Sequence, residues 1–237
     1  MELRPRPDRA PARRGGGRGR GGGTARAVDS ELVAELIALP GGEVELIRPR
    51  DAEALLSEEA FDREEFLPYW AELWGSAVAL AHDISLRALR GRRTLELGCG
   101  LGLPSIAAAR AGGRVLATDW SADAVTATRA NAERNGVRLE ALECNWASPH
   151  AIVERAPWDL VIASDVLYER RNGELLVGLL RRLVTERGLV LIADPGRPAA
   201  ASFLEGAAAA GFSIGTSLSP RSERVSIHRL RLGSATA

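Results

Sequence analysis

The chain has 237 residues, 46% of them hydrophobic, and a formal net charge of +0. That length suits one α/β domain with extensions, and the apolar share is enough for a core. No apolar run approaches the roughly 18 to 20 residues of a membrane span. The basic N-terminus lacks the apolar stretch of a secretory signal, so a cytoplasmic protein is expected. Cys99 and Cys144 lie outside any Cys-x-x-Cys pattern and the three histidines are scattered, so no metal centre is expected.

The even charge hides an asymmetry. All 31 basic residues are arginines, a bias that genomic base composition explains. Residues 1–28 are rich in Arg and Gly, with the run Arg13-Arg-Gly-Gly-Gly-Arg-Gly-Arg-Gly-Gly-Gly23. Such a segment cannot bury a core and is expected to be a disordered tail. Arg/Gly segments can touch RNA phosphates and bases, which makes RNA contact a weak possibility beside the plainer solvated tail. Residues 29–92 read as an N-terminal extension. Ser30–Leu39 has helical apolar spacing, a capping Ser and a following Pro40, and so predicts a helix. Val44–Ile47 predicts a short strand, residues 51–67 are acidic and irregular, and Trp70–Leu89 predicts a second helix.

From residue 93 to 237 strands and helices alternate. Strands are predicted at Thr94–Leu97, Arg114–Thr118, Val137–Leu142, Asp159–Ser164 and Leu189–Ala193. Helices are predicted at Leu103–Ala111, Ala122–Asn135, Glu174–Glu186 and Ala199–Ala210. Ser213–Leu218 and Val225–Leu232 close the chain as strands with no helix between them. The alternation predicts an α/β fold with a mostly parallel sheet covered on both faces, and the last two strands an antiparallel hairpin.

The segment Thr94-Leu-Glu-Leu-Gly-Cys-Gly-Leu-Gly102 runs a strand into a turn of three glycines and then a helix. Gly98, Gly100 and Gly102 let the backbone turn sharply and let a ligand touch the main chain. The spacing is Gly-x-Gly-x-Gly, not the dinucleotide Gly-x-Gly-x-x-Gly. Glu96 before the turn suits a ligand with an ammonium group and would repel a pyrophosphate. Those features point to S-adenosylmethionine (SAM). Asp119, 21 positions after Gly98, is placed to accept bonds from ribose hydroxyls. Asn145 and Trp146 follow the third strand, where an adenine ring would be bonded and packed. The fourth strand ends in Asp165-Val-Leu-Tyr168, a carboxylate and a phenol beside the expected methyl group. A carboxylate can hold an incoming amine, and the tyrosine can offer a ring face or a hydroxyl. Trp70 and Trp74, taken as helical, would share a face and wall the SAM pocket.

Three blocks resemble a known family: Pro68-Tyr-Trp-Ala-Glu-Leu-Trp74, Leu95-Glu-Leu-Gly-Cys-Gly-Leu-Gly-Leu-Pro104 and Ser164-Asp-Val-Leu-Tyr168. They are similar to the seven-strand (class I) protein-lysine methyltransferases, whose members modify chaperones, elongation factors and the electron-transfer-flavoprotein beta subunit. Asp194-Pro-Gly-Arg197 resembles a segment of the flavoprotein-directed branch and its bacterial relatives. The resemblance implies a seven-stranded Rossmann-like fold that binds SAM and leaves S-adenosylhomocysteine, with a protein substrate. It places the cofactor against Trp74, Glu96, Gly98, Cys99, Gly100, Gly102, Asp119, Trp120, Asn145, Trp146 and Ser164. Asp165 and Tyr168 would shape the acceptor site. A small-molecule acceptor stays open, since sequences of this type also carry that activity. The missing Asn/Asp-Pro-Pro-Tyr/Phe motif lowers the case for base methylation in RNA.

Overall fold

The computed structural model of the protein describes residues 31–52, 55 and 68–233. The Arg/Gly tail and most of the acidic stretch lie outside them. The chain opens with a hairpin, β1 (Leu32–Leu39) and β2 (Gly42–Pro49), paired antiparallel from Leu32↔Pro49 to Leu39↔Gly42. The helix expected at Ser30–Leu39 is therefore a strand. Its apolar residues satisfy both periods, and the turn decides between them: Gly41 and Gly42 have φ of 92° and 128°, a region open to glycine. That turn folds β1 onto β2, whose Val44 and Leu46 are fully buried.

The helix expected over Trp70–Leu89 is shorter and interrupted. Tyr69–Ala71 is one 3-10 turn, Glu72 and Trp74 are extended, and α1 occupies Gly75–Ser85. Then follow β3 (Arg93–Leu97), α2 (Leu103–Arg110), β4 (Arg114–Asp119), α3 (Ala122–Arg134) and β5 (Glu140–Glu143). The short helix α4 (His150–Val153) was not expected, and β6 spans Trp158–Ser164. α5 (Arg170–Leu183) starts four residues before the expected Glu174 and runs directly into β7 (Val184–Asp194). The predicted helical end at Glu186 thus lies in a strand. α6 (Ala199–Ala209), β8 (Phe212–Ser219) and β9 (Ser222–Leu232) complete the chain.

The main sheet has seven strands in the order β5-β4-β3-β6-β7-β9-β8. β5, β4, β3, β6 and β7 are parallel, while β9 runs antiparallel to both β7 and β8. Strand alternation feeds two cores. Leu160 and Ile162 of β6 pack with Leu80 and Ile84 of α1 and Ile106 of α2. Val161 and Ala163 face the other way, with Leu176, Leu179, Leu180 and Leu183 of α5 and Phe203 of α6. The α5 leucines recur at i, i+3, i+4 and i+7, one helical face, and burying each contributes about 1.5–3 kcal/mol.

The hairpin is docked by two asparagines of α3. Asn131 Oδ1 accepts from Ile47 N at 2.8 Å while its Nδ2 donates to Leu101 O and Ile47 O. Asn135 Oδ1 accepts from Glu45 N at 3.0 Å and its Nδ2 donates to Glu45 O at 2.7 Å. These amides give the outer edge of β2 the partners that another strand would supply.

Candidate active site

Every parallel strand carries its carboxyl end to one rim of the sheet, and the site is built there. At that rim Gly98, Gly100 and Gly102 have φ of 72°, 51° and 84°. Gly98 N and Cys99 N both donate to Thr118 O, at 2.8 and 2.9 Å, so the turn is stitched to β4. A Cβ on Gly102 would stand 2.8 Å from Thr128 of α3, and one on Gly100 would stand 3.2 Å from the Trp70 carbonyl. The turn is pressed between a helix and the aromatic segment.

Asp119 latches this turn. Its Oδ2 accepts from Gly100 N and its Oδ1 from Ser121 N, each at 3.0 Å. Ser121, not Asp119, caps α3, accepting from Ala124 N. Each Asp119 oxygen keeps acceptor capacity for a ribose hydroxyl. Burial raises the Asp119 carboxyl, with backbone N–H groups pulling the other way. Glu96 is fully buried; its Oε2 accepts from the Ser105 hydroxyl and its Oε1 has no partner. Burial pushes its carboxyl up to about 8, against the opposing Ser105 bonds. Cys99 is buried, with Thr128 Oγ1 3.3 Å from Sγ, and burial holds its thiol well above the ordinary value. It offers a ligand backbone rather than a reactive sulfur.

The half-buried Trp146 ring lies beside the turn, 3.8 Å from where a Gly98 Cβ would stand. Asn145 is exposed and its Oδ1 accepts from Ala147 N at 2.8 Å, closing its own turn. Its amide Nδ2 is the part left to meet a base. Trp120 is 48% exposed just past Asp119, and Ser164 is half-buried at the end of β6.

A second part of the rim is organised around Asp165, whose φ of 56° is positive. A non-glycine residue there carries strain of about 1–2 kcal/mol, tolerated by Asp better than most. Its backbone N donates to Ala193 O at 2.9 Å. Its carboxylate is doubly held: Oδ1 accepts from Arg197 Nε at 2.8 Å and Oδ2 from Ser76 Oγ at 2.9 Å. Asp194 Oδ1 in turn accepts from the backbone N of Gly196 and Arg197, at 2.8 and 2.9 Å. Arg197 lies over Trp74, 5.5 Å from guanidinium carbon to ring centroid. Trp74 Nε1 donates to Tyr69 O at 2.8 Å, and the Tyr69 ring is 5.6 Å from Tyr168. Tyr168 is 38% exposed, and its hydroxyl is raised by partial burial. A cleft of about 480 Å³ opens here, with Trp74, Ser76, Asp165, Arg197, Ser222 and Arg224 among its walls.

Two expectations are revised. Trp70 and Trp74 do not share a helical face, because the chain is extended at Trp74. The Trp70 backbone meets the glycine turn, whereas Trp74 walls the cleft beside Arg197. Sequence reasoning also missed Arg197, Ser76 and Asp194 as parts of the site. The Asp194-Pro-Gly-Arg197 segment was a signal for two of them; nothing marked Ser76. Among the described residues no group of three or more His, Cys, Asp or Glu is placed to hold a metal.

The residues fit a nucleoside that carries a cation. A buried carboxylate oxygen lacks a partner at Glu96, a second carboxylate stands at Asp119, an indole flanks the turn, and residues 98–102 hold no basic side chain for a pyrophosphate. The strand order and this turn define the class: the fold is that of the class I methyltransferases, whose cofactor is SAM. It matches a ribosomal protein L11 methylase from Lactobacillus delbrueckii subsp. bulgaricus (TM-score 0.56, 22% identity, 67% of this chain and 79% of that one). It also matches the T. thermophilus 16S rRNA methyltransferase RsmC in complex with AdoMet and guanosine (TM-score 0.63, 15% identity, 85% and 50%). At these identities the likeness is one of fold. The family profile described as lysine methyltransferase matches residues 69–207, and the chain belongs to that family. It is 37% identical over 135 residues to the electron transfer flavoprotein beta subunit lysine methyltransferase of Xenopus laevis, covering 55% of this chain and 53% of that protein. The Homo sapiens counterpart is 35% identical over 136 residues (55% and 50%), and EEF1A lysine methyltransferase 3 of Mus musculus 30% over 132 (54% and 56%). The matches span about half the length of these relatives.

Proposed function

We propose that the chain transfers the methyl group of SAM to the Nζ of lysine in a protein substrate, and that it acts in the cytoplasm. The observation that carries this reading is the cleft that opens on Asp165, with Arg197 at its wall still 34% exposed at the side chain. A solvent-open wall suits a lysine presented on a protein better than a small molecule that must be enclosed. SAM supplies a methyl group on a sulfonium, ready for in-line displacement by an amine. The chain's own part is alignment and exclusion of water. Glu96, the backbone of Gly98–Gly102, Asp119 and Trp146 would hold the cofactor. Asp165 and Tyr168 would border the incoming side chain, and Trp74 would wall its path. Family membership and the lysine methyltransferase names of the relatives support lysine as acceptor. Buried, unpaired Cys99 and Cys144 suit a reducing compartment, and among the described residues no helix is long and apolar enough to cross a membrane.

Radiolabelled SAM added to an extract from a strain lacking this protein tests the proposal, with products separated into protein, RNA and small-molecule fractions. Label mapping to lysine in one or a few protein bands is expected. The chain itself contains no lysine, so labelled lysine reports another protein. Label confined to the small-molecule or RNA fraction would refute the lysine reading. Asp165→Ala is expected to lower transfer about 100-fold by misplacing the acceptor, with SAM affinity by calorimetry nearly unchanged.

A further inference from the structure

A carboxylate beside a methyl-accepting amine creates a chemical problem. Lysine is an ammonium at neutral pH, with an ordinary pKa near 10.4, and only the neutral amine has the lone pair that can form the new C–N bond. An uncompensated carboxylate within ~4–6 Å raises an amine's pKa by about 1–3 units, which would make the nucleophile scarcer by at least about tenfold. Asp165 lines the cleft and, on the reading above, would border that amine.

Its negative charge is already matched. Arg197 donates to Oδ1 at 2.8 Å, and a guanidinium does not deprotonate in the working range of a protein. Arg197 is also fixed from three sides: by Asp165, by the Trp74 ring beneath it, and by Asp194, which accepts from its backbone N. Ser76 satisfies Oδ2 without adding charge. Among the described residues, Tyr69 on the 3-10 turn and Asp194 act on the pair, His228 acts on Asp194, Tyr168 follows β6 beside Tyr69, and Arg224 also lines the cleft. Asp194 spends Oδ1 on two backbone N–H groups of its own turn, its Oδ2 is buried without a partner, and burial raises its carboxyl toward the neutral form. Burial raises the Tyr168 hydroxyl, which therefore adds no charge at neutral pH.

We propose that Arg197 is a positioning residue that holds Asp165 oriented and charge-neutralised, so that the acceptor site takes its amine in the neutral, nucleophilic form. The inference rests on the reading of the cleft as an amine acceptor site. It assigns Arg197 a role through Asp165 and none in contact with the methyl group.

The test is a binding ratio that needs no turnover. The probes are n-butylammonium and n-butanol, which share the length of a lysine side chain and differ in charge. They are titrated by NMR into the protein saturated with S-adenosylhomocysteine, which has no sulfonium charge. Wild-type protein is expected to bind the two within a few-fold of each other. Arg197→Gln leaves Asp165 uncompensated and is expected to favour the ammonium by about tenfold or more. The double variant Asp165→Asn/Arg197→Gln removes both charges and is expected to return the ratio to that of wild type. Arg155→Gln removes an exposed cation that does not line the cleft and is expected to leave the ratio unchanged. A ratio in Arg197→Gln equal to that of wild type, an equal change in Arg155→Gln, no return in the double variant, or no binding of either probe overturns the proposal. Should Arg197→Gln fail to fold, Asp165→Asn leaves Arg197 uncompensated and is expected to move the ratio toward n-butanol by about tenfold, and an unchanged ratio then overturns the proposal. Failure of the lysine reading is separate: it shows as protein lysine without label, while the probe ratio still follows the charge at Arg197.

Discussion

Glu96 lies under the glycine turn with one oxygen against Ser105 and the other unpartnered. Burial brings its carboxyl to about 8 from an ordinary 4.5, so the folded protein holds a proton there at neutral pH that the unfolded chain releases. A folded value above the unfolded one means stability is intact below about pH 4.5 and falls as pH rises toward 8. Glu96→Gln is therefore expected to remove that loss, leaving the variant more stable than wild type at pH 8 by on the order of a few kcal/mol in urea unfolding, and little different at pH 4.5. A cationic ligand beside Glu96 reverses the balance and draws the proton off. SAM binding at pH 7 should release close to one proton in wild type and none in Glu96→Gln, read by calorimetry in buffers of different ionisation enthalpy. The variant should also bind SAM more weakly. Gly102→Ala tests the turn itself. A side chain at φ 84°, 2.8 Å from Thr128, is expected to cost about 2 kcal/mol or more in the same unfolding measurement.

The elements show which signals in the sequence survive folding. The glycine turn, Asp119 at the end of β4 and Asp165 after β6 were legible because strand, turn and helix follow one another within a few residues, and each local preference agrees with the fold. Two errors have local causes. In Leu32–Leu39 the apolar residues fit a helix and a strand equally, and only the pairing with β2 selects the strand. At Leu183 and Val184 the helix passes into β7 without a glycine or proline to mark the change. Ser76 and Arg197 were obscure for another reason: they lie 89 residues before Asp165 and 32 after it, and long-range pairing leaves no periodic trace. The docking of the hairpin is also long-range, and it gives a sharp expectation. Asn131→Ala strips partners from Ile47 and Leu101 at a buried position. It is expected to cost about 2–3 kcal/mol and to speed amide exchange at Ile47 without affecting β6.

At the scale of the whole molecule, the Arg/Gly composition of residues 1–28 gives them little to add to a core, while the described elements pack apolar clusters on both faces of the main sheet. A chain beginning at Asp29 should therefore keep the wild-type melting temperature and SAM affinity. A salt-dependent gel shift with RNA that is lost in the same truncation would assign the Arg/Gly tail a separate part. Among the described residues, ion pairs such as Arg170–Glu174 and Arg155–Glu140 are well exposed and contribute little. Raising the salt to about 1 M should hardly move the unfolding midpoint.

The antiparallel run of β9 has a practical consequence. Its first turn helps wall the cleft at Ser222 and Arg224, and the strand then crosses the sheet until Gly233 N meets Gly211 O, beyond Phe212↔Leu232. The chain thus leaves its last strand at the rim away from the cleft. A handle carried beyond that strand would tether the described elements with the cleft turned toward solution. These residues include no lysine side chain, so amine-reactive reagents would leave the walls of the cleft unmodified.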